Sequence, residues 1–339
     1  MQKIIVPASK CISGMITAAP IIDIKTGTTI IPANQELTEN SIKNTLNFLH
    51  TDIWVYLDSF EKVWGLSQES IESYQKYSNT LISIIKGLDS NELNAISDFE
   101  NFTSNLPIEF KANHTLLGCT NLIEQLDYNT YNHSLNVAFI SLLICRWCNF
   151  DNHFTTSAIK AGLLHDIGML NLSFNTFETK EPWTPEQYAE YEKHPIFSYN
   201  IVSKLKDLDP MIAKAILAHH EHCDGTGFPV HISAPYINQL AKVLALADAY
   251  ELLRNKSHIF STLKTLLVDK ITEFDPKLLL TFCTNIATYY VGTFVILNNG
   301  LIAEVVFINP VCVYRPIVKV NDQFINLYED SSIEIVSIK

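Results

Sequence analysis

The sequence has little positive charge and few charged residues of either sign. Charged residues make up 18% of the 339 residues, and 36 acidic side chains outnumber 24 Lys and Arg side chains, so the formal net charge is −12. No block of Lys or Arg interrupts this acidic balance. Duplex DNA and anionic membranes both require a basic face on the protein that binds them. We therefore expect neither DNA nor a membrane to be the main partner.

Long apolar runs, a signal peptide and a paired cysteine motif are also missing. The start, MQKIIVPASKC, lacks the apolar core of a signal peptide, and Arg146 interrupts the longest apolar run before it reaches the roughly 18 residues of a membrane span. Seven scattered cysteines are typical of reduced thiols in the cytosol. Cys145 and Cys148 have CxxC spacing, but no second pair completes a zinc site. These features predict a cytoplasmic protein.

Apolar residues are plentiful, and their spacing divides the chain into parts. The hydrophobic share of 47% is enough for a substantial core. Periodicity predicts a small N-terminal α+β module (1–66), a helical linker (67–112), a helical domain (113–288) and a C-terminal β-strand extension (289–339). In the extension, two apolar runs flank Asn298-Asn299-Gly300, which predicts a hairpin. The predicted fold class is mainly α, a helical bundle with a β-hairpin subdomain at its C-terminal end.

Histidines and aspartates recur at regular intervals in the helical domain. The set comprises His133, His165, Asp166, His194, His219, His220 and Asp248. Each group falls on or at the end of a predicted helix, about 25 to 32 residues from the next group. One helix and its connection occupy about that length, so a bundle brings the whole set to one axis.

This set of donors has the chemistry that a pair of divalent metal ions requires. Imidazole nitrogens suit iron, manganese or zinc, and a carboxylate bridges two ions. A single histidine on an apolar helix is more often structural than a ligand, and we assign His222 and the remaining histidines to that class. The joint pattern of an HD doublet, an HH doublet and single ligands favours a metal site. Spacing alone does not distinguish a hydrolase from another metal site in a bundle.

Two motifs extend this pattern, LLHDIG at 163–168 and HHEHCDGTGFP at 219–229. They resemble the motifs of the HD-GYP family, bacterial phosphodiesterases of cyclic di-GMP, and the resemblance covers roughly residues 113–285. The family hallmark HHExxDGxGYP is matched by His219, His220, Glu221, Asp224, Gly225, Gly227 and Pro229, with Phe228 in place of the tyrosine. The resemblance implies an HD-type helical bundle with two divalent ions, iron being expected and manganese the alternative.

The resemblance also implies a ligand set and a reaction. One ion takes His133, His165, Asp166 and Asp248, and the other takes Asp166 with His194, His219 and His220. Asp166 is therefore the predicted bridging and catalytic residue, and hydroxide held by both ions attacks phosphorus in cyclic di-GMP or a related cyclic dinucleotide. Asn129 stands where some members carry a glutamate for a third ion, so we expect two.

Two single substitutions depart from the family pattern. Met169 replaces the lysine of HDIGK, which removes a cation for a substrate phosphate. Phe228 replaces the tyrosine of GYP, which removes a phenol hydroxyl. The shape of this loop depends on Gly225, Gly227 and Pro229, so we expect the loop itself to survive.

The segment after Asp248 also departs from the pattern. The basic residues Arg254, Lys256 and His258 are displaced from the family's positions, and Glu251 takes the place of the usual aspartate. Positive charge is needed to hold an anionic dinucleotide. The sequence therefore predicts an intact metal site beneath an altered phosphate site.

Three hypotheses for the function remain after this comparison. The first is a metal-dependent phosphodiesterase of cyclic di-GMP, which the presence of all seven ligands favours. The second is a catalytically impaired domain that keeps its metals and serves as a cyclic-dinucleotide-binding module or a regulatory module with protein partners. The third is an HD-type phosphohydrolase of a smaller nucleotide, for which fewer cations are needed.

Overall fold

A computed structural model describes residues 3–7, 11, 14–23, 28–38, 41–42, 52–56, 68–90, 92, 94–121, 129–176, 182–205, 208–321 and 323–338. The chain divides into two compact units, Met1–Glu72 and Ser73–Lys339. The finer division into four parts stays a prediction.

The N-terminal unit contains four short strands. They are β1 (Lys3–Pro7), β2 (Ile21–Ile22), β3 (Thr29–Ile31) and β4 (Asp52–Tyr56). β1 pairs antiparallel with β4, and β2 pairs antiparallel with β3. Met15, Leu37 and Val55 are fully buried and form its core. The strands of the predicted α+β module are present. Ile42, Leu46 and Leu49 share one face of a helix predicted after Thr38, and residues 43–50 of that helix lie outside the described residues.

Helices make up most of the chain from residue 68 to residue 288. They are α1 (Gln68–Asp89), α2 (Ala95–Glu109), α3 (Asn113–Thr120), α4 (Thr130–Trp147), α5 (Asn152–Leu164), α6 (Pro185–Tyr191), α7 (His194–Val202), α8 (Pro210–Leu217), α9 (Gln239–Lys256), α10 (Ile259–Lys264) and α11 (Pro276–Thr288). A 3₁₀ turn (Ile167–Asn171) follows α5, and a π-helical turn (Thr265–Asp269) follows α10. α4 is buried on all sides from Asn132 to Cys145 and packs against α5 and α9. It is therefore the central helix of the bundle.

Side-chain caps set the helix starts on either side of the site. Thr184 and Gln187 form a capping box at the start of α6, in which each side chain accepts the other's backbone N–H. Asn129, the position of the third-ion glutamate in some relatives, caps α4. Its side-chain oxygen accepts the N–H groups of Tyr131 and Asn132 at 3.0 Å each.

The chain ends in an antiparallel sheet of five strands. They are β5 (Phe294–Leu297), β6 (Ile302–Phe307), β7 (Ile317–Val320), β8 (Gln323–Asn326) and β9 (Ile335–Ile338), in the order β8-β7-β6-β5-β9. β5 and β6 form the predicted hairpin, with Gly300 at a φ of 82° in its turn. The fold class is confirmed as mainly α, and the hairpin is part of this larger sheet.

Two further features bear on the expectations from the sequence. None of the described helices combines the length and apolarity that crossing a membrane requires. All seven cysteines lie within the described residues and are free thiols. Cys145 is buried in α4, as predicted for a core residue, and Cys148 is partly buried.

Candidate metal centre

The seven predicted ligands come together at the centre of the helical unit. His133 lies in the first turn of α4, His165 and Asp166 directly follow α5, His194 opens α7, His219 and His220 follow α8, and Asp248 lies in the middle of α9. Their side chains are 0–5% exposed except that of His220, which is 14% exposed. Polar groups this deeply buried require partners.

The imidazoles form two groups with Asp166 between them. The Nε2 atoms of His133 and His165 are 3.2 Å apart, as are those of His194 and His219. Oδ2 of Asp166 lies 3.5 Å from each Nε2 of the first pair. Its Oδ1 lies 3.3 Å from Nε2 of His194 and 3.9 Å from that of His219. Each carboxylate oxygen of Asp166 therefore faces one group.

Backbone carbonyls at helix ends orient three of the imidazoles. Nδ1 of His165 lies 2.8 Å from the carbonyl oxygen of Gly162, near the end of α5. Nδ1 of His219 has the same relation to Ile216, at 2.6 Å. Nδ1 of His194 lies 2.7 Å from the carbonyl of the last residue of α6. The last carbonyls of a helix have no intrahelical partner, so a histidine three residues later donates its Nδ1 proton there.

A buried carboxylate takes the place of a carbonyl for His133. Nδ1 of His133 lies 2.6 Å from Oε2 of Glu251, which is one turn after Asp248 on α9. The side-chain amides of Asn136 and Asn255 donate to Glu251 at 3.2 and 3.3 Å. A carboxylate behind a histidine fixes its tautomer and strengthens it as a metal ligand.

The donor atoms fit a bound cation. Because carbonyl oxygens only accept, His194 and His219 carry their protons on Nδ1, and their Nε2 lone pairs face each other at 3.2 Å. Two such lone pairs repel unless a cation lies between them. Nitrogens bound to one ion at about 2.1 Å each lie about 3 Å apart. Within the described part of the chain, the buried Oδ1 of Asp166 also has no hydrogen-bond partner.

Burial keeps most of the imidazoles neutral. It lowers the pKa of His165 and His219 to about 4, and it lowers the pKa of His194 and His220 well below the usual value. His133 differs, because the charge of Glu251 and its hydrogen bonds outweigh burial and raise its pKa well above the usual value. A neutral imidazole is the form that binds a metal.

The two carboxyl groups respond to the same burial in opposite directions. Burial raises the pKa of Asp166 to about 6, against the opposing charges of His133 and His219. Burial also raises the pKa of Asp248, but its hydrogen bond with His133 and the charges of neighbouring imidazoles outweigh burial and hold the pKa well below its usual range. Oδ1 of Asp248 lies 3.1 Å from Nε2 of His133, and its Oδ2 lies 3.7 Å from Nδ1 of His220. Asp248 therefore faces both groups as an ionised carboxylate.

Glu221 shapes the motif loop from within. Its carboxylate is 2% exposed and accepts the backbone N–H groups of Val230, His231 and Ile232 at 2.6, 3.1 and 3.0 Å. Asp224 is exposed and accepts hydrogen bonds from Thr226 and Thr272, which lower its pKa to about 2. The acids of the HHExxD motif therefore hold the loop rather than face the metal ligands.

Two glycines allow backbone segments to approach the ligands closely. A Cβ atom on Gly227 would come within 2.2 Å of the carbonyl oxygen of His220, and one on Gly168 within 2.4 Å of that of His194. Phe228 then packs over the second group, with its ring stacked on His220 at a centroid distance of 4.6 Å. Gly225 and Pro229 complete this loop, Gly225 at a φ of 82°.

The residues that depart from the family pattern either bond to other parts of the protein or lie in the turn after Asp166. Met169 lies in the 3₁₀ turn after Asp166 and is partly exposed. The Arg254 guanidinium donates to the Ser257 carbonyl at 2.7 Å and to Asn121 at 3.0 Å. His258 caps α10. Arg254 and His258 thus support helix ends. His222, assigned to a structural role, lies 2.9 Å from Thr226 through Nδ1.

A cavity of about 190 Å³ opens beside the metal ligands. Its walls include His219, His220 and Asp248 on one side and apolar residues of α9 on another. Among its described lining residues, Lys270 carries the one ammonium group, and Nζ donates to Glu273 at 2.9 Å. The sequence contained no signal for this lysine, because it lies 22 residues after Asp248 and outside the matched motifs.

Known proteins resemble this chain in sequence and in fold. Residues 119–268 match the HD domain family. The chain is 29% identical over 213 residues to the cyclic di-GMP phosphodiesterase PdeB of Borreliella burgdorferi, covering 60% of this chain and 56% of that protein. It is 25% identical over 184 residues to the cyclic di-GMP phosphodiesterase PA4108 of Pseudomonas aeruginosa, covering 53% and 44%. The chain thus spans about half the length of these curated relatives.

A solved structure shares the fold. Bd1817, an HDG"Y"P protein from Bdellovibrio bacteriovorus, aligns with a TM-score of 0.50 over 84% of this chain and 99% of that chain, at 13% identity. The fold, the HD-domain match and the ordered motifs agree. Residues 119–268 are therefore similar to HD domains, and the ordered motifs and these relatives support a place for the chain in the HD-GYP family.

Proposed function

We propose that the chain is a metal-dependent phosphodiesterase that hydrolyses cyclic di-GMP or a related cyclic dinucleotide at a pair of divalent ions. The observation that carries the proposal is the position of Asp166, whose two carboxylate oxygens face different imidazole groups as a bridging ligand requires. The names of PdeB and PA4108 supply the substrate class. Iron is the expected metal and manganese the alternative, since both accept nitrogen and oxygen donors.

The roles of the residues follow from their orientation. A pair of divalent ions, when bound, supplies an activated water and neutralises charge on a phosphoryl group. His133, His165 and Asp248 would hold one ion, His194, His219 and His220 would hold the other, and Asp166 would serve both. Glu251 and the helix-end carbonyls keep four of the imidazoles turned inward.

The cavity beside the centre is the proposed substrate-binding site. Leu252, Leu253 and Phe274 contribute an apolar wall that excludes water, and Lys270 offers a cation at the rim. A volume of about 190 Å³ is smaller than a typical ligand pocket of about 300 Å³ or more. The scissile phosphodiester and its ribose therefore enter, and the rest of the dinucleotide lies outside.

A second candidate is a metal-containing domain that binds a cyclic dinucleotide without efficient turnover. The observation that favours it is the loss of cations near the centre: Met169 stands where the family has lysine, and Arg254 and His258 are engaged at helix ends. In this case the domain acts as a regulatory module.

One experiment separates these functions. The protein is purified without oxygen, its metal is counted, and the same sample is assayed with cyclic di-GMP, cyclic GMP-AMP and a guanine mononucleotide. About two ions per chain with linear dinucleotide or mononucleotide product supports the phosphodiesterase. Two ions with binding but no product supports the regulatory module. Turnover of the mononucleotide alone would instead indicate an HD-type phosphohydrolase of smaller nucleotides.

A further inference from the structure

Tyr191 lies at the junction of α6 and α7, beside the second imidazole group. It is the last residue of α6, and α7 begins at His194. Its ring centroid lies 4.7 Å from that of His194, 5.9 Å from that of His220 and 6.1 Å from that of Phe228. One side chain therefore touches two candidate ligands and the aromatic residue of the motif loop.

The backbone of Tyr191 already orients one of these ligands. Its carbonyl oxygen is the helix-end acceptor that lies 2.7 Å from Nδ1 of His194. This contact keeps the proton of His194 on Nδ1 and directs its Nε2 toward His219. Any residue at position 191 supplies the same carbonyl.

The phenol of Tyr191 contacts the other ligand, which is turned differently from the rest. His133, His165, His194 and His219 direct Nε2 inward, whereas His220 has Nδ1 3.7 Å from Oδ2 of Asp248. Its Nε2 lies 3.4 Å from the hydroxyl oxygen of Tyr191, at the long end of the hydrogen-bonding range. An imidazole that offers its Nδ1 lone pair to a cation carries its proton on Nε2, and the phenol oxygen accepts that proton.

We propose that Tyr191 is a positioning residue for the His194–His219–His220 half of the metal centre. Its carbonyl fixes the tautomer of His194, and its hydroxyl contacts Nε2 of His220 and orients that imidazole, whose side chain is the most exposed of the seven ligands. The ring centroid of Tyr191 also lies 6.1 Å from that of Phe228, the position at which the GYP tyrosine is missing. This inference rests on the proposed role of the histidines as metal ligands.

The test compares Tyr191→Phe with a matched control. Tyr191→Phe keeps the ring and the carbonyl and removes only the hydroxyl. Tyr188→Phe removes a hydroxyl from the same helix, on a side chain that is 43% exposed and packs on Trp183. Mn²⁺ binding is measured by calorimetry on the full chain after chelation, and electron paramagnetic resonance distinguishes a coupled Mn²⁺ pair from single ions. Neither readout depends on catalysis.

The inference predicts that Tyr191→Phe weakens binding of one of two Mn²⁺ ions by about 10- to 100-fold, the usual cost of losing a partner behind a metal ligand. The coupled-pair signal should fall in Tyr191→Phe and stay at the wild-type level in Tyr188→Phe. Two ions bound with wild-type affinity in Tyr191→Phe, or an equal loss in both variants, would overturn the inference alone. A wild-type chain that binds no Mn²⁺ would overturn the proposed metal centre together with it.

Discussion

The metal centre and the residues around it differ in how closely they follow the family pattern. At the centre, all seven family ligand positions carry the expected residue, and their side chains are almost wholly buried. Around the centre, Met169 and Phe228 replace a lysine and a tyrosine, and the basic residues are displaced. The two regions are neighbours, so distance from the metal centre does not explain why one follows the family pattern and the other departs from it.

The cause lies in what holds each region in place. Three of the imidazoles at the centre are held by backbone carbonyls at helix ends, so their geometry follows from the fold. The contacts of Phe228 and Arg254 are made by side chains, so a substitution there leaves the helix-end carbonyls that hold these imidazoles in place. A cation at the rim can therefore come from a different position, such as Lys270, while the centre stays the same.

The largest expected effect separates a ligand of the centre from a neighbouring histidine. His220→Ala should remove bound metal and abolish turnover, because it deletes a donor at the His194–His219 pair. His222→Ala should keep the wild-type metal content, since His222 contacts Thr226 and Glu273 instead. Metal per chain is counted in both variants. Equal metal content in the two would contradict the ligand assignment.

A smaller effect is expected from a residue that acts behind a ligand. Glu251→Gln keeps a hydrogen-bond acceptor for His133 and removes the negative charge, so Mn²⁺ affinity should fall by about 10- to 100-fold. Glu273→Gln, a carboxylate of the rim, is the matched control and should change affinity little. Calorimetric titration of the chelated proteins measures both. Unchanged affinity in Glu251→Gln would show that His133 does not depend on this charge.

At the rim, the loss of a cation should weaken substrate binding and leave the metal in place. Lys270→Ala should raise the Kd for cyclic di-GMP by about tenfold, the cost of one charge-assisted hydrogen bond. Lys264→Ala removes the same charge from an exposed position near Glu334 and is the control. Equal changes in Kd for the two variants would mean that only net charge matters.

The smallest effect tests the substitution that separates this chain from the family motif. Met169→Lys restores the cation of HDIGK and should raise cyclic di-GMP turnover by about two- to tenfold. Phe228→Tyr serves as the comparison, since it restores the other missing group. Turnover is measured at saturating metal. If Met169→Lys does not change turnover, another cation performs the role of the missing lysine.

Much of the fold was predictable because its signals are local. The capping box at Thr184 and Gln187 and the turn at Asn298-Asn299-Gly300 each lie within a few residues, and the structure contains both features. β8 was not predicted, since QFIN is a short edge strand with little alternation.

The ligand set was predictable from ordered motifs, but its supporting residues were not. Glu251 is 118 residues from His133, and Tyr191 is 29 residues from His220, so only the tertiary fold brings each pair together. Lys270 reaches the cavity through a π-helical turn that no spacing in the sequence indicates. These contacts depend on packing, which periodicity does not describe.

The most direct test of the central claim is a crystal structure of protein purified without oxygen, with anomalous data at the iron and manganese edges. Two anomalous peaks about 3.5–4 Å apart are expected. One should lie beside His133 and His165, the other beside His194 and His219, and Asp166 should contact both. A single peak, or two peaks that Asp166 does not bridge, would contradict the binuclear centre.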